Sequence, residues 1–217
     1  SGSFAVTAVG ITQIGAITQA SSASTVTFNA GAGVITLANA SNDFTGSVAL
    51  NNSGANNVAI TDVNAIDFGT STLGSGSFTV TAVGITQSGA ITQTSSAGSA
   101  TFNAGTGVIT LTQSNDFTGS VALNSTGATV AITDANAINF GASTLGSGSF
   151  AVTAVGITQT GTITAAGNSS FNAGAGVITL TQSNDFTGAV SLNNSGANNV
   201  AITDANAINF GASTLGS

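Results

Sequence analysis

The sequence predicts an all-β fold, a parallel β-helix (β-solenoid) built from three tandem repeats. Three observations predict it. One unit of about 72 residues is written three times, at approximately residues 1–74, 75–146 and 147–217. Apolar residues alternate over three to five positions and are followed by Gly, Asn or Ser-Gly, which is typical of half-buried strands that end in turns. Asn-Gly and Asp-Gly hairpin turns are absent, which favours parallel pairing between successive coils over hairpins.

The three units are close copies of one another. Gly107–Gly119 recurs unchanged as Gly176–Gly188, and Ala131–Ser147 recurs as Ala201–Ser217. A tandem repeat is normally one structural unit stacked on itself, so we expect residues 1–217 to form a single continuous solenoid. Coils of roughly 18–25 residues would give about 9–12 coils, a rod about 45–55 Å long at the ~4.8 Å strand spacing.

The two ends of the chain together resemble the boundary between units. Inside the chain this boundary reads STLGSGSF over Ser71–Phe78, and joining Ser217 to Ser1 nearly regenerates it, with one extra serine. We therefore expect either that the sequence is an excerpt of a longer repeat array, or that copies of it stack end to end.

Differences between the units distinguish inward from outward positions. The four phenylalanines of each unit never change, so we expect them to stack in the core. Ile14, Ser88 and Thr160 occupy one equivalent position, which must therefore face outward. Ladders tolerate length changes poorly, so the places where the units differ in length are predicted to be outward corners. These places lie between Thr18 and Phe28, before Asn42, and between Leu123 and Ile132.

The composition excludes several classes of function. The chain has no Lys, Arg or His and a net charge of −7, so it cannot neutralise phosphates, and we expect no nucleic-acid partner and no binding to anionic membrane surfaces. No Cys is present, which excludes disulfides and thiolate metal sites. No apolar run approaches the ~18 residues of a membrane-spanning helix, and we expect no membrane insertion.

Aspartates are the only charged residues, and six of the seven recur in two sets. Paired carboxylates could serve a glycan-cleaving enzyme, and the D-x-N triplets could contribute to calcium binding. The interpretation we favour is that they occupy solenoid corners and accept hydrogen bonds from their own backbone. Asp67 is the seventh, and Asn139 and Asn209 replace it. The first set is Asp43, Asp116 and Asp185 (N-D-F-T-G); the second is Asp62, Asp134 and Asp204 (T-D-x-N-A-I).

We therefore assign no catalytic, cofactor-binding or metal-ligating residue, and we expect no cofactor. Calcium at the Asp62, Asp134 and Asp204 corners stays open. Glycosylation also stays open, because Asn-x-Ser/Thr triplets arise by composition in a chain so rich in these residues. The triplets begin at Asn39, Asn51, Asn124, Asn168 and Asn193.

Several stretches resemble a known family. Gly76–Thr92, Phe102–Gly105 and Asn184–Gly188 resemble the repeats of giant filamentous-haemagglutinin-like surface proteins of Gram-negative bacteria, and the likeness covers the whole chain. The resemblance implies a right-handed parallel β-helix, the hand that parallel crossovers generally prefer. It also implies export by two-partner or autotransporter-like secretion, and a role in adhesion, biofilm or filament formation.

These observations predict a structural protein and not an enzyme. We expect an extracellular filament or adhesin stalk, at the cell surface or in a secreted matrix, that supplies length, stiffness and protease resistance. Self-association, end to end or lateral, is the expected partnership, with surface glycans as a further partner. Two alternatives remain: a glycan-binding or glycan-cleaving β-helix, and a functional amyloid.

Overall fold

A computed structural model describes residues 2–21 and 24–216 of the chain. The predicted Ser217-to-Ser1 junction lies outside the described residues. Within them the chain forms 25 β-strands and no helix. The strands are β1 (Phe4–Thr7), β2 (Ile11–Thr12), β3 (Val26–Asn29), β4 (Ile35–Leu37), β5 (Val48–Asn51), β6 (Val58–Thr61), β7 (Ile66–Phe68), β8 (Ser71–Leu73), β9 (Phe78–Thr81), β10 (Ile85–Gln87), β11 (Ile91–Gln93), β12 (Ala100–Asn103), β13 (Ile109–Asn115), β14 (Ser120–Ser125), β15 (Val130–Asp134), β16 (Ile138–Phe140), β17 (Ser143–Leu145), β18 (Phe150–Thr153), β19 (Ile157–Gln159), β20 (Ile163–Ala165), β21 (Ser169–Asn172), β22 (Ile178–Phe186), β23 (Ala189–Asn193), β24 (Val200–Asp204) and β25 (Asn209–Phe210).

The strands pair in parallel throughout, in one sheet of 13 strands and one of 12. The chain crosses from one sheet to the other and back in every coil, so each strand lies beside its counterpart one coil away. Phe4 pairs with Val26, 22 residues later, and this spacing ranges from 19 residues at Phe150 and Ser169 to 24 at Ile85 and Ile109. The predicted all-β parallel solenoid is confirmed, with about ten turns. Its right-handedness stays a prediction.

Each repeat contains an odd number of strand levels, which lie alternately in the two sheets. The larger sheet has eleven strand levels from β1 to β25, and the smaller sheet has ten. The three units therefore contain 21 strand levels, seven in each unit. Equivalent strands therefore alternate between the sheets: β1 lies in the larger sheet, β9 in the smaller and β18 in the larger again. Neighbouring units are related by half a turn about the solenoid axis, and both sides of the rod present the same sequence.

Phenylalanine rings pack against one another within the core. Phe68, Phe78, Phe102 and Phe117 pack edge to face, with ring centroids 5.5 to 5.7 Å apart, the arrangement that aromatic pairs prefer. All four are almost completely buried, as predicted, whereas Phe4 and Phe210 at the two ends are 45% and 55% exposed. The other rings in such contacts are Phe4, Phe28 and Phe44, and then Phe140, Phe150, Phe171 and Phe186.

The predicted outward positions lie on the surface. Ile14, Ser88 and Thr160 are all exposed. The length difference before Asn42 coincides with a bulge: in the second unit the pairing of β13 with β15 shifts register between Leu111 and Asn115. The residues between them are exposed, so an insertion there lengthens a surface bulge and leaves the ladder unchanged.

Glycines permit close backbone approach at the turns between sheets. A Cβ atom on Gly107 would lie 2.3 Å from the backbone nitrogen of Gly84 in the preceding coil. Gly33 meets Gly10, and Gly176 meets Gly156, in the same way. Any side chain at these positions would force two coils apart, so the turn needs glycine in every unit.

We expect Gly107→Ala to destabilise the fold by about 1–3 kcal/mol, because overpacking strains the surrounding structure. Gly127→Ala is the matched control, since a Cβ atom there meets nothing within 4 Å. Urea unfolding followed by far-UV circular dichroism measures both variants. Equal unfolding midpoints for the two would contradict the steric explanation.

Candidate functional site: a buried amide–carboxylate cluster

Three polar residues that are identical in every unit lie side by side on neighbouring coils, with a buried asparagine in the middle. We call them the amide–carboxylate cluster. In the second unit it consists of Gln87, Asn115 and Asp134, which belong to three successive coils. The asparagine is fully buried in each unit. The equivalent residues are Gln13, Asn42 and Asp62 in the first unit, and Gln159, Asn184 and Asp204 in the third.

Asn115 forms hydrogen bonds with both neighbouring coils. Its Oδ1 accepts from Gln87 Nε2 at 2.8 Å and from the backbone N–H of Ile91 at 2.9 Å. Its Nδ2 donates to Gln87 Oε1 at 2.9 Å, to the Leu111 carbonyl at 3.1 Å and to the Thr133 carbonyl at 3.0 Å. The amide therefore closes the surface bulge in its own coil and also binds the coils on either side.

Asp134 stabilises the neighbouring turn through both of its oxygens. Oδ1 accepts the N–H of Asn136 at 2.8 Å, within its own turn, and Oδ2 accepts the N–H of Phe117 at 2.8 Å, one coil away. Asp62 makes the same two contacts, with Asn64 and Phe44. The local bond agrees with the favoured interpretation of a corner aspartate, and the carboxylates are also buried: Asp62 and Asp134 are only 3% and 2% exposed.

The other set of recurrent aspartates lies beside the cluster. In the first unit Asn64 Nδ2 donates to Asp43 Oδ1 at 3.3 Å, and in the third Asn206 Nδ2 donates to Asp185 Oδ1 at 3.2 Å. In these two units the asparagine of the D-x-N triplet therefore links the two sets of aspartates. Asp67 lies apart from these pairs and accepts from the hydroxyls of Thr86 and Ser88.

Burial perturbs the acidity of the cluster. Desolvation raises the pKa of Asp134 to about 6; the N–H groups of Phe117 and Asn136 oppose this shift, and the nearby Asp116 adds to it. Desolvation also raises the pKa of Asp62. Burial thus raises the pKa of both of these carboxyl groups.

The arrangement is suited to holding coils together. Both oxygens of Asp134 are engaged by backbone N–H groups, and the side chain is enclosed, so a substrate has no approach to it. Within residues 2–21 and 24–216, no group of three or more acidic side chains converges in a way that could hold a metal ion. In the same part of the chain, no helix is long and apolar enough to cross a membrane.

Three of the Asn-x-Ser/Thr triplets begin within strands, at Asn51, Asn124 and Asn193, and the amides of the first two form contacts between coils. Asn51 Nδ2 donates to Asn29 Oδ1 at 2.9 Å, and Asn124 Nδ2 donates to Asn103 Oδ1 at 2.9 Å. These amides form short ladders between coils on the outer face, and all four residues are half-buried. At these two positions a glycan would have to replace a ladder contact.

Sequence reasoning did not identify Gln87 and Asn115 as a pair. They are separated by 28 residues, and no local pattern brings them together. The available signal was their identity in all three units, at positions where the neighbouring residues are free to vary. Gln113, Ser114 and Asn115, for instance, replace Ala40, Ser41 and Asn42, and only the asparagine is buried.

Asn115→Ala should lower the free energy of unfolding by about 2–4 kcal/mol, because it leaves buried carbonyl and N–H groups in three coils without partners. Asn103→Ala is the control, since it removes one amide–amide bond from the outer face. Denaturant midpoints would be compared by circular dichroism. A larger loss for Asn103→Ala would rule out the stabilising role of the cluster.

The raised pKa of Asp134 predicts that acidification stabilises the fold. The contribution of Asp134 to the free energy of unfolding is fully present below its ordinary pKa of 3.8. It is lost as the pH rises through about 6. We therefore expect a higher melting temperature at pH 4.5 than at pH 7.5, measured in high salt to screen general charge repulsion.

Asp134→Asn should reduce that pH dependence. Asp67→Asn is the control for the loss of one charge, since its position carries asparagine in the other two units. A pH profile that responds equally to both substitutions would contradict the assignment to Asp134.

Comparison with known proteins gives one match. Repeats of unknown function (DUF5649) match residues 1–51, 55–124 and 127–193, which together cover most of the chain. No curated protein and no solved structure matches it. The family model matches three times in succession, in agreement with the repetitive sequence. The chain belongs to the family of repeats of unknown function DUF5649.

Proposed function

We propose that the chain is a rigid structural rod, a segment of an extracellular filament or adhesin stalk, and that it has no catalytic activity. The observation that carries this proposal is the use of its polar residues. Two of the carboxylates that could have carried chemistry, Asp62 and Asp134, are buried and hold successive coils together. The ladder runs between coils of one chain, which favours a solenoid over an amyloid of separate chains.

The composition supports a location outside the cell. Trypsin-like proteases cut after Lys or Arg, and the chain has neither. The chain also has no Cys, so folding after export would not depend on disulfide formation. Its corners carry mostly Ser, Thr, Asn and Gly, so the rod has few charges by which it could attract or repel neighbouring molecules.

A structural rod should increase in length in proportion to the number of repeats. We expect small-angle X-ray scattering to give a particle about 50 Å long for the chain, because ten to eleven coils stack at ~4.8 Å. Two copies fused in tandem should give a particle about 100 Å long with the same cross-section. Both would be measured at low concentration.

A fused chain that bends back on itself, with no gain in length, would refute the structural role. A glycan-array screen of the same material tests the alternative of a glycan-binding or glycan-cleaving β-helix. Specific hits there, together with hydrolysis or retention of the bound sugar, would favour the glycan-binding alternative.

A further inference from the structure

The chain contains two internal examples of a unit-to-unit junction. At the first, β6 pairs with β9, β7 with β10 and β8 with β11. At the second, β15 pairs with β18, β16 with β19 and β17 with β20, in the same register. Phe68 and Phe78 meet across the first with centroids 5.7 Å apart, and Phe140 and Phe150 meet across the second at 5.7 Å.

The C-terminal end of the described solenoid presents one half of this junction. Phe210 and Leu215 are 55% and 56% exposed and, with Val200 and Ile202, line a cavity that opens at this end. Their counterparts at the internal junctions are almost completely buried: Ile60, Phe68 and Leu73 at the first, and Ile132, Phe140 and Leu145 at the second.

The N-terminal end presents the complementary half. Phe4 is 45% exposed, whereas its counterparts Phe78 and Phe150 are buried. Phe4 and Ile17 line a second cavity at this end.

Two glycines at the N-terminal end have open space where their counterparts at the internal junctions meet the preceding coil. A Cβ atom on Gly89 would lie 2.2 Å from Thr70 N across the first junction, and one on Gly161 would lie 2.1 Å from Ala142 N across the second. Their counterpart Gly15 has nothing within 4 Å. Gly2 likewise has open space, whereas its counterparts Gly76 and Gly148 abut the preceding coil at 2.2 Å.

We propose that the C-terminal end face of one copy of this chain binds the N-terminal end face of a second copy in the register of the internal junctions. This deepens the filament role proposed above and rests on it. Phe210 of one copy then packs against Phe4 of the next. The paired segments are 200–203 with 4–7, 208–210 with 11–13, and 213–215 with 17–19.

A second copy is the occupant that both faces fit. The contact residues are those that already meet twice within the chain, so the apolar surfaces match and the exposed strand edges find hydrogen-bonding partners. β24 lies in the smaller sheet and β1 in the larger, so the second copy enters rotated by half a turn. Successive copies in a fibre should therefore show equivalent features on opposite sides, with an axial rise of about 50 Å.

Gly15→Val tests this contact without touching the core of the single chain. Its side chain has open space in one copy but would strike the backbone at Ala212 of the preceding copy. Gly127→Val is the matched control, because Gly127 also has nothing within 4 Å and lies far from both ends.

Sedimentation velocity over a concentration series and cryo-electron microscopy are the measurements. We expect the unaltered chain and Gly127→Val to form end-to-end oligomers and fibres, and Gly15→Val to stay monomeric with an unchanged circular dichroism spectrum and melting temperature. Assembly of Gly15→Val like the control, or a chain that stays monomeric at high concentration, would overturn the inference. So would fibres in which successive copies are not related by half a turn.

The scattering experiment separates this failure from a failure of the proposed function. Rods of the expected length that never stack would refute the end-to-end contact alone. Particles of the wrong length would refute the rod itself.

Discussion

Backbone hydrogen bonds join each coil of this solenoid to the coils on either side, and they set the separation of neighbouring coils at ~4.8 Å. Every residue therefore lies close to its counterpart in the next coil. Charged side chains would face like charges, and bulky ones would collide at the turns. The absence of Lys, Arg and Glu, the glycine contacts such as Gly107 on Gly84 and the stacked phenylalanines all satisfy this one spacing.

Much of the fold could be predicted because this spacing leaves a local signature. Alternation of apolar residues located the strands, and the three internal copies distinguished inward Phe from outward positions such as Ile14. The seven strand levels per unit could not be predicted, since periodicity shows where the strands are but not which sheet each strand joins. Nor could the role of Ser71, whose Oγ accepts the N–H of Leu50 at 3.1 Å where the ladder is interrupted.

The candidate site was half predictable for the same reason. The bond from Asn64 N–H to Asp62 spans two residues, so a corner aspartate followed by x-Asn indicates it. The bond from Phe44 N–H to the same carboxylate spans 18 residues, and it depends on the register of two coils. Burial of the carboxylate, which raises its pKa against the effect of that second contact, depends on the packing of the same coils and could not be derived from the sequence.

A solenoid whose coils all carry similar apolar ladders needs an interaction that distinguishes one pairing register from another. The apolar ladders do so weakly, because Val, Ile, Leu and Phe replace one another in them and would tolerate a slip of one coil. The amide–carboxylate cluster does so strongly: after such a slip Asn115 would lose Gln87 and the Thr133 carbonyl together, at about 1–3 kcal/mol for each buried group left unpaired. Buried polar groups of this kind specify one arrangement because only one arrangement satisfies them all. With one cluster in each unit, a slip of any unit is penalised separately, and the order of the coils is maintained along the whole solenoid.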